Sequence, residues 1–573
     1  MAVRRLSLHF DGGRHGCQLQ DFRLLMPGTE VVLGDIVATY RLRGRHFVVP
    51  SLRYHGSIEP SSVRLSDVSY LLPALKTFQS TLSLEADFHG EGETLEVPHL
   101  KVSSTTGDIS INMGGAVQEL LQSEPVWNAD LYDLGLSAKT ISFISENLKG
   151  EHVQVPDVVT RMGSIHLTGS LNGKGLSDCH ANNVLSTDAG QVTLQLALDT
   201  DRHFHGKVQT HELDLKRLLD NDHFGVFAST IDVSGMLPEQ GSPLVKAEGI
   251  IERFTYNGYP YQNIQLNGQY SAADTHGHIS IDDANIKADI EGMLLSGRRH
   301  NDIRVKASVD HFSPQATHLS EQWGDARFSG HLEADFQAKD INDAIGTLDI
   351  QDLTMLSSTE RYVLQRLHVE SGYDDEHYIS MQSDFGDARI TGHFDYETLT
   401  QSFTNFIAAK LPTLPGLPKV NPHTDNNFAI RAHVTKSDWL EQLLRVPLRL
   451  TRPLTLEGMV NDQSQQLNIE CDLPQFYYKD SRYDRGHISI LSSLGTLAYD
   501  VKVTKLMGDG KHLDMQVAGN AYNNLLTTTL QWDDHSDERM SGKITAQSQF
   551  HTAFDGRNEA LIHIAPSTMT VTV

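Results

Sequence analysis

Twenty-nine histidines in 573 residues raise the question of a metal site. His203/His205 and His276/His278 each stand two apart, which on a strand places both imidazoles on one face. Zinc needs three or four convergent ligands, and no neighbouring cysteine or carboxylate cluster completes either pair. These are expected to be solvated strand histidines, and no metal is assigned. Asp282-Asp283, Asp374-Asp375-Glu376 and Asp533-Asp534 carry the residue types of a paired acid and base. All three lie among turn-forming neighbours, so no catalytic residue is assigned and the chain is read as a non-enzyme. Gly173-Lys174-Gly175 and Gly90-Glu91-Gly92 lack the spacing and strand-to-helix context of a phosphate loop and read as turns. Cys17, Cys179 and Cys471 give neither zinc spacing nor a disulfide framework. No cofactor is expected.

The stronger signal is apolar. The pattern apolar-x-apolar-x-Gly-x-apolar recurs along the chain, for example at Ile165/Leu167/Gly169/Leu171, Ile231/Val233/Gly235/Leu237 and Leu454/Leu456/Gly458/Val460. Side chains of a strand alternate between faces, so each instance sets one apolar row against one polar row. The glycines return at intervals of roughly thirty or sixty residues, the mark of an elongated repeat architecture. Leu167, Val233, Leu266, Ile290, Phe328, Ile390, Leu456 and Val517 are the residues of these repeats expected to line a common apolar surface.

Strands must position that surface. Leu82/Leu84/Ala86/Phe88, Ile109/Ile111/Met113 and Val192/Leu194/Leu196/Leu198 alternate cleanly, and Asn172-Gly173, Asn257-Gly258 and Asp509-Gly510 supply tight reversals. Short helices are expected at 66–77 despite Pro73, at 138–148, around Leu215/Leu218/Leu219, at 399–410 and from Asp438, where Asp438 and Glu441 read as a capping box. They are too short to cover a large sheet and are expected as caps at an edge or an open end. The expected organisation is N-terminal β repeats over 1–130, central repeats over 131–411, a proline-rich loop over 412–427 and further repeats over 428–573.

A sheet with one apolar side buries it in a sandwich, in a closed barrel, or in a trough whose lining faces an internal channel. Periodicity does not distinguish them. The lack of domain-sized breaks and an aromatic content of only 7 % lean toward the trough. Hydrophobic content of 39 % with 21 % charged residues argues against both disorder and an integral membrane protein. The formal net charge of −26 opposes binding to nucleic acid and to anionic membrane surfaces.

Several segments resemble the TamB-like family within the wider AsmA-like group of bacterial envelope proteins. They are the opening Leu6-Ser-Leu-His-Phe, then Leu19-Gln-Asp-Phe-Arg-Leu, Pro27-Gly-Thr and Asp35-Ile-Val-Ala-Thr-Tyr. Ser66-Asp-Val-Ser-Tyr-Leu-Leu-Pro-Ala-Leu followed by the 82–92 strand, and 428–458 with Asp438-Trp-Leu-Glu-Gln-Leu-Leu and Pro453-Leu-Thr-Leu-Glu-Gly, are similar to its recurring units. The resemblance implies a mainly β fold, an elongated repetitive curled β-sheet of the β-taco type with short capping helices. It implies a periplasmic protein that carries phospholipid acyl chains in its groove between inner and outer membranes and supports protein translocation and assembly. It also implies an N-terminal inner-membrane anchor and an outer-membrane barrel partner of the Omp85 type. The chain is expected to be the groove section, without the anchor helix or the C-terminal domain. The alternative from a different class is an extracellular β-repeat adhesin or scaffold with a dry core.

Overall fold

The computed structural model describes residues 3–44, 46–68, 80–147, 156–175, 177–238, 241–417, 424–493, 495–537, 539–554 and 556–571. Most of the helix expected at 66–77 and the middle of the proline-rich loop lie outside them. The protein is mainly β, with 66 % strand and 8 % helix, built as a long repetitive antiparallel sheet with few short helices, as the alternation requires. Two compact units divide it: 1–284 with 317–319, and 285–316 with 320–573.

In the first unit most strands pair antiparallel with their chain neighbours, as in the run Ile165–Lys174, Asp178–Thr187, Gly190–Leu198 and His203–Asp214. The second unit repeats the scheme from Ile286–Ser296 through Arg327–Ala338 to Met540–Thr552. Among the described residues no pairing joins the first strand of either unit to its last, so neither sheet closes into a barrel. Bulges recur toward one end of neighbouring strands, at Leu131/Leu134, Thr210/Leu213 and Phe224/Phe227 in the first unit and at Val309/Phe312 and Asp484/His487 in the second. Each bends its strand and adds twist, which curls the sheet along that edge.

Helices stand at strand ends. In the first unit, Ala138–Asn147 and Leu215–Leu219 follow strands that end at the bulged edge, and Asp157–Arg161 precedes the strand Ile165–Lys174 there. Arg161 Nη1 donates to the Leu218 carbonyl at 3.0 Å and Arg217 Nε to that of Arg161 at 2.8 Å, locking two of these helices together. In the second unit Leu399–Lys410 forms with the bounds its pattern predicts, whereas the capping box at Asp438 does not. Ser437 is the N-cap of Asp438–Gln442 and makes no side-chain cap bond, because its hydroxyl accepts the Leu450 amide at 2.7 Å instead.

The chain exposes 34044 Å². Two compact globules of half its 63.7 kDa would expose together only about 24,000 Å² by the usual surface scaling. The chain thus exposes about 10,000 Å² more than two compact globules of its mass.

Candidate functional site

Following the pairing register across the second unit shows the composition of its faces. One row begins at Gly292 and passes through Val305, Ala334, Leu348 and Val369. It continues through Met381, Ala388, Ala432, Leu456 and Cys471. It ends through Ile488, Val501, Val517, Leu530 and Ile544. Every member is apolar, and all are half-buried except buried Cys471 and exposed Leu530. The next residue along each strand gives the opposite face. That row runs Glu291, Lys306, Glu333, Asp349, His368 and on through His433, Asp472 and Lys502, polar throughout. Cross-strand ion pairs decorate it, such as Lys306–Glu333 at 2.7 Å and Arg304–Asp335 at 3.2 Å in the row beside it. Such exposed pairs contribute little energy but keep the outer face wet and the register fixed.

The first unit has the same partition. Leu167 shares a row with Leu134, Leu185 and Val192, Leu266 with Leu194, Val208 and Ile231, and Val233 with Leu196, Gly206 and Ala247. These are three adjacent rows of one face. In the second unit Leu456 and Val517 share the long row, while Ile390 lies in its neighbour with Ile379, Ile430, Ile469 and Ile490. Ile290 lies in the row on the other side, with Ala307, Leu332 and Ile350. All eight singled-out residues are half-buried. Two of the eight pack against dry clusters: Phe328 at the bulged edge, against the Trp323 ring at 5.3 Å and beside buried Met355, Tyr362 and Leu364, and Ile390, which with Ile379, Ile430, Ile469 and Ile490 packs against the cluster under the helix Leu399–Lys410.

Dry clusters cap both edges of this face in the second unit. At the bulged edge the Trp439 and Phe385 rings meet at a tilt with centroids 4.9 Å apart, and Trp323 Nε1 donates to the Leu443 carbonyl at 3.0 Å. At the opposite edge the helix Leu399–Lys410 sets Phe406, fully buried, among Phe394, Phe428, Val460, Leu467 and Leu497. A buried polar network anchors that helix: Ser402 Oγ donates to Asp462 Oδ2 at 2.7 Å, and the Asn426 side chain donates to Ser402 at 2.7 Å. The proline-rich loop begins inside the same cluster, with Leu411 buried and Thr413 held by Asn524 at 3.1 Å. The middle rows between these caps stay partly open.

Glycine serves the face where a ring crosses it. Tyr499 is the register partner of Gly519, and a Cβ there would stand 2.6 Å from the Tyr499 oxygen and 2.1 Å from the Thr527 carbonyl oxygen. Gly519→Ala is expected to cost about 1–3 kcal/mol, read by urea unfolding, because ring and strand must both move. Burial pushes the Tyr362 hydroxyl up to about 12, from an ordinary 10.0, with Asp384 and Asp438 adding to it. The sign follows: the raised value favours the folded state fully below 10.0, and that advantage is lost as pH rises toward about 12. Stability above pH 10 should therefore fall more steeply in the parent protein than in Tyr362→Phe, measured by denaturant melts across pH 9 to 12.

The groups with catalytic residue types are dispersed. Asp283, expected at a polar turn, is buried and accepts from the Tyr259 hydroxyl and the Gln262 amide. A strand-end carboxylate that caps its neighbour's open donors looks like a turn residue in sequence. Asp374 pairs with Arg389 at 2.7 Å. His205 and His276 lie on the polar face with Ser234, Lys246 and Gln269 between them in the register, so the two histidine pairs do not converge. One grouping went unread in the sequence: His512, Asp514 and His535 bring their ligand atoms within 4.8 Å of one another. Only the His512/Asp514 spacing signalled it, since His535 arrives from a turn beyond the next strand.

No protein-family model, no curated protein and no solved structure matches the chain.

Proposed function

We propose that the protein is a non-enzymatic carrier whose apolar rows hold phospholipid acyl chains. The observation that carries the reading is the unbroken apolar row from Gly292 to Ile544, half-buried between two dry edge caps and backed by a polar face. A sandwich core would bury such a row. An aliphatic face left open needs an apolar occupant: each methylene moved out of water is worth about 0.8 kcal/mol, so a sixteen-carbon chain gains on the order of 10 kcal/mol by lying there. A face running across many strands offers that environment continuously, without a barrier between sites. Its side chains are aliphatic and unspecific, so the reading assigns no headgroup preference to it.

Within this reading the resemblance to the TamB-like group supplies the setting: a periplasmic bridge between inner and outer membranes, anchored in the inner membrane, supporting outer-membrane biogenesis beside an Omp85-type barrel. Solvent extraction of the purified protein tests the carrier directly. Phospholipid at a reproducible molar ratio supports it. Protein free of lipid, and unable to take up a fluorescent acyl probe from vesicles, favours the adhesin or scaffold.

A further inference from the structure

We propose that His512, Asp514 and His535 bind one divalent transition-metal ion of the zinc class on the polar face of the second unit. His512 and Asp514 lie two apart on the strand His512–Tyr522, so both project from the side opposite Met515 and Val517. His535 follows the strand Leu525–Asp533, whose Asp533 is the register partner of Asp514. Its backbone takes a positive φ of 49°, and its amide donates to Asp533 Oδ1 at 2.9 Å, which turns the imidazole back toward the neighbouring strand. His535 Nε2 lies 3.1 Å from Asp514 Oδ2, and the two imidazole rings stack with centroids 5.7 Å apart.

The carboxylate is already oriented. Asp514 Oδ1 accepts from Thr504 Oγ1 at 2.6 Å and from Arg485 Nη2 at 2.9 Å, which leaves Oδ2 for the ion. Outer bonds of this kind hold a ligand in place before metal arrives. Two imidazoles and one carboxylate are the ligand set of open zinc sites, which keep a fourth position for water or an exogenous group. An open groove of about 370 Å³, lined by Asp514 and His535 with Arg485, Lys502, Gln516, Trp532 and Asp533 among others, adjoins these ligand atoms and leaves room for an exogenous fourth ligand. The ion would tie the strand His512–Tyr522 to the turn beyond its neighbour. This site is independent of the apolar face and of the carrier reading.

The test is titration of metal-stripped protein with Zn²⁺ by calorimetry, and with Co²⁺ by visible absorption. The expected result is one equivalent bound more tightly than the background of scattered histidines, with the visible bands of four-coordinate Co²⁺. His535→Ala, at an exposed turn, should weaken that equivalent at least tenfold, and Thr504→Val should weaken it by about tenfold through loss of the outer bond. His512→Ala should match His535→Ala. Titrations of His535→Ala indistinguishable from the parent protein, or a parent protein with no equivalent above background, would overturn the site.

Discussion

Leu456→Asp should leave the protein folded and reduce phospholipid transfer between vesicles at least tenfold. Leu456 is half-buried in the middle of the long apolar row, between Ala432 and Cys471, and touches no capped cluster. A carboxylate there keeps access to water, so the fold loses about 1–2 kcal/mol, the range of an ordinary substitution. An acyl chain crossing the same point must either desolvate the charge or leave the row, and both raise the barrier to movement. Glu457→Ala, on the polar face, should change neither property. Equal transfer by Leu456→Asp and the parent protein would mean that lipid does not travel along this row.

Val460→Asp, four residues on in the same strand and on the same face, should instead unfold the second unit or come close to it. Val460 is 0 % exposed beneath the helix Leu399–Lys410, packed with Phe406, Phe428 and Leu467. An unpaired carboxylate in that cluster costs several kcal/mol, of the same order as the whole stability of a domain. The loss should appear in denaturant melts and as release of the helix anchor between Ser402 and Asp462. The contrast between two aspartates on one strand separates an open lining from a dry core. Similar, severe unfolding in both variants would indicate a dry interior along the entire face.

How much of this was legible in the sequence depends on the range of the interaction. Alternation is a local property, and it assigned Leu167, Val233, Leu266, Ile290, Ile390, Leu456 and Val517 to the apolar face because a strand has no other way to place residues two apart. The helix Leu399–Lys410 was likewise readable from its own periodicity. Phe328 carries the same local pattern, yet it is packed in the edge cluster because Trp323 and Met355 meet it there. Val460 and Phe550 belong to one cap although ninety positions separate them in the numbering, and nothing in either neighbourhood announces it. Asp438 and Glu441 satisfied the capping-box spacing, but Ser437 took the cap position and spent its hydroxyl on Leu450. The His512/Asp514/His535 grouping needed a hairpin register and a positive φ, neither of which composition reveals.

The carrier reading stands most directly on site-specific photo-crosslinking in cells whose phospholipids carry radiolabelled phosphate. A photoreactive side chain at Leu456 or Ile290 should yield labelled adducts, while the same group at Glu457 or Glu291, one residue along and on the polar face, should yield none. Folded protein without label at Leu456 and Ile290, or with equal label at all four positions, would contradict a lipid-bearing apolar face.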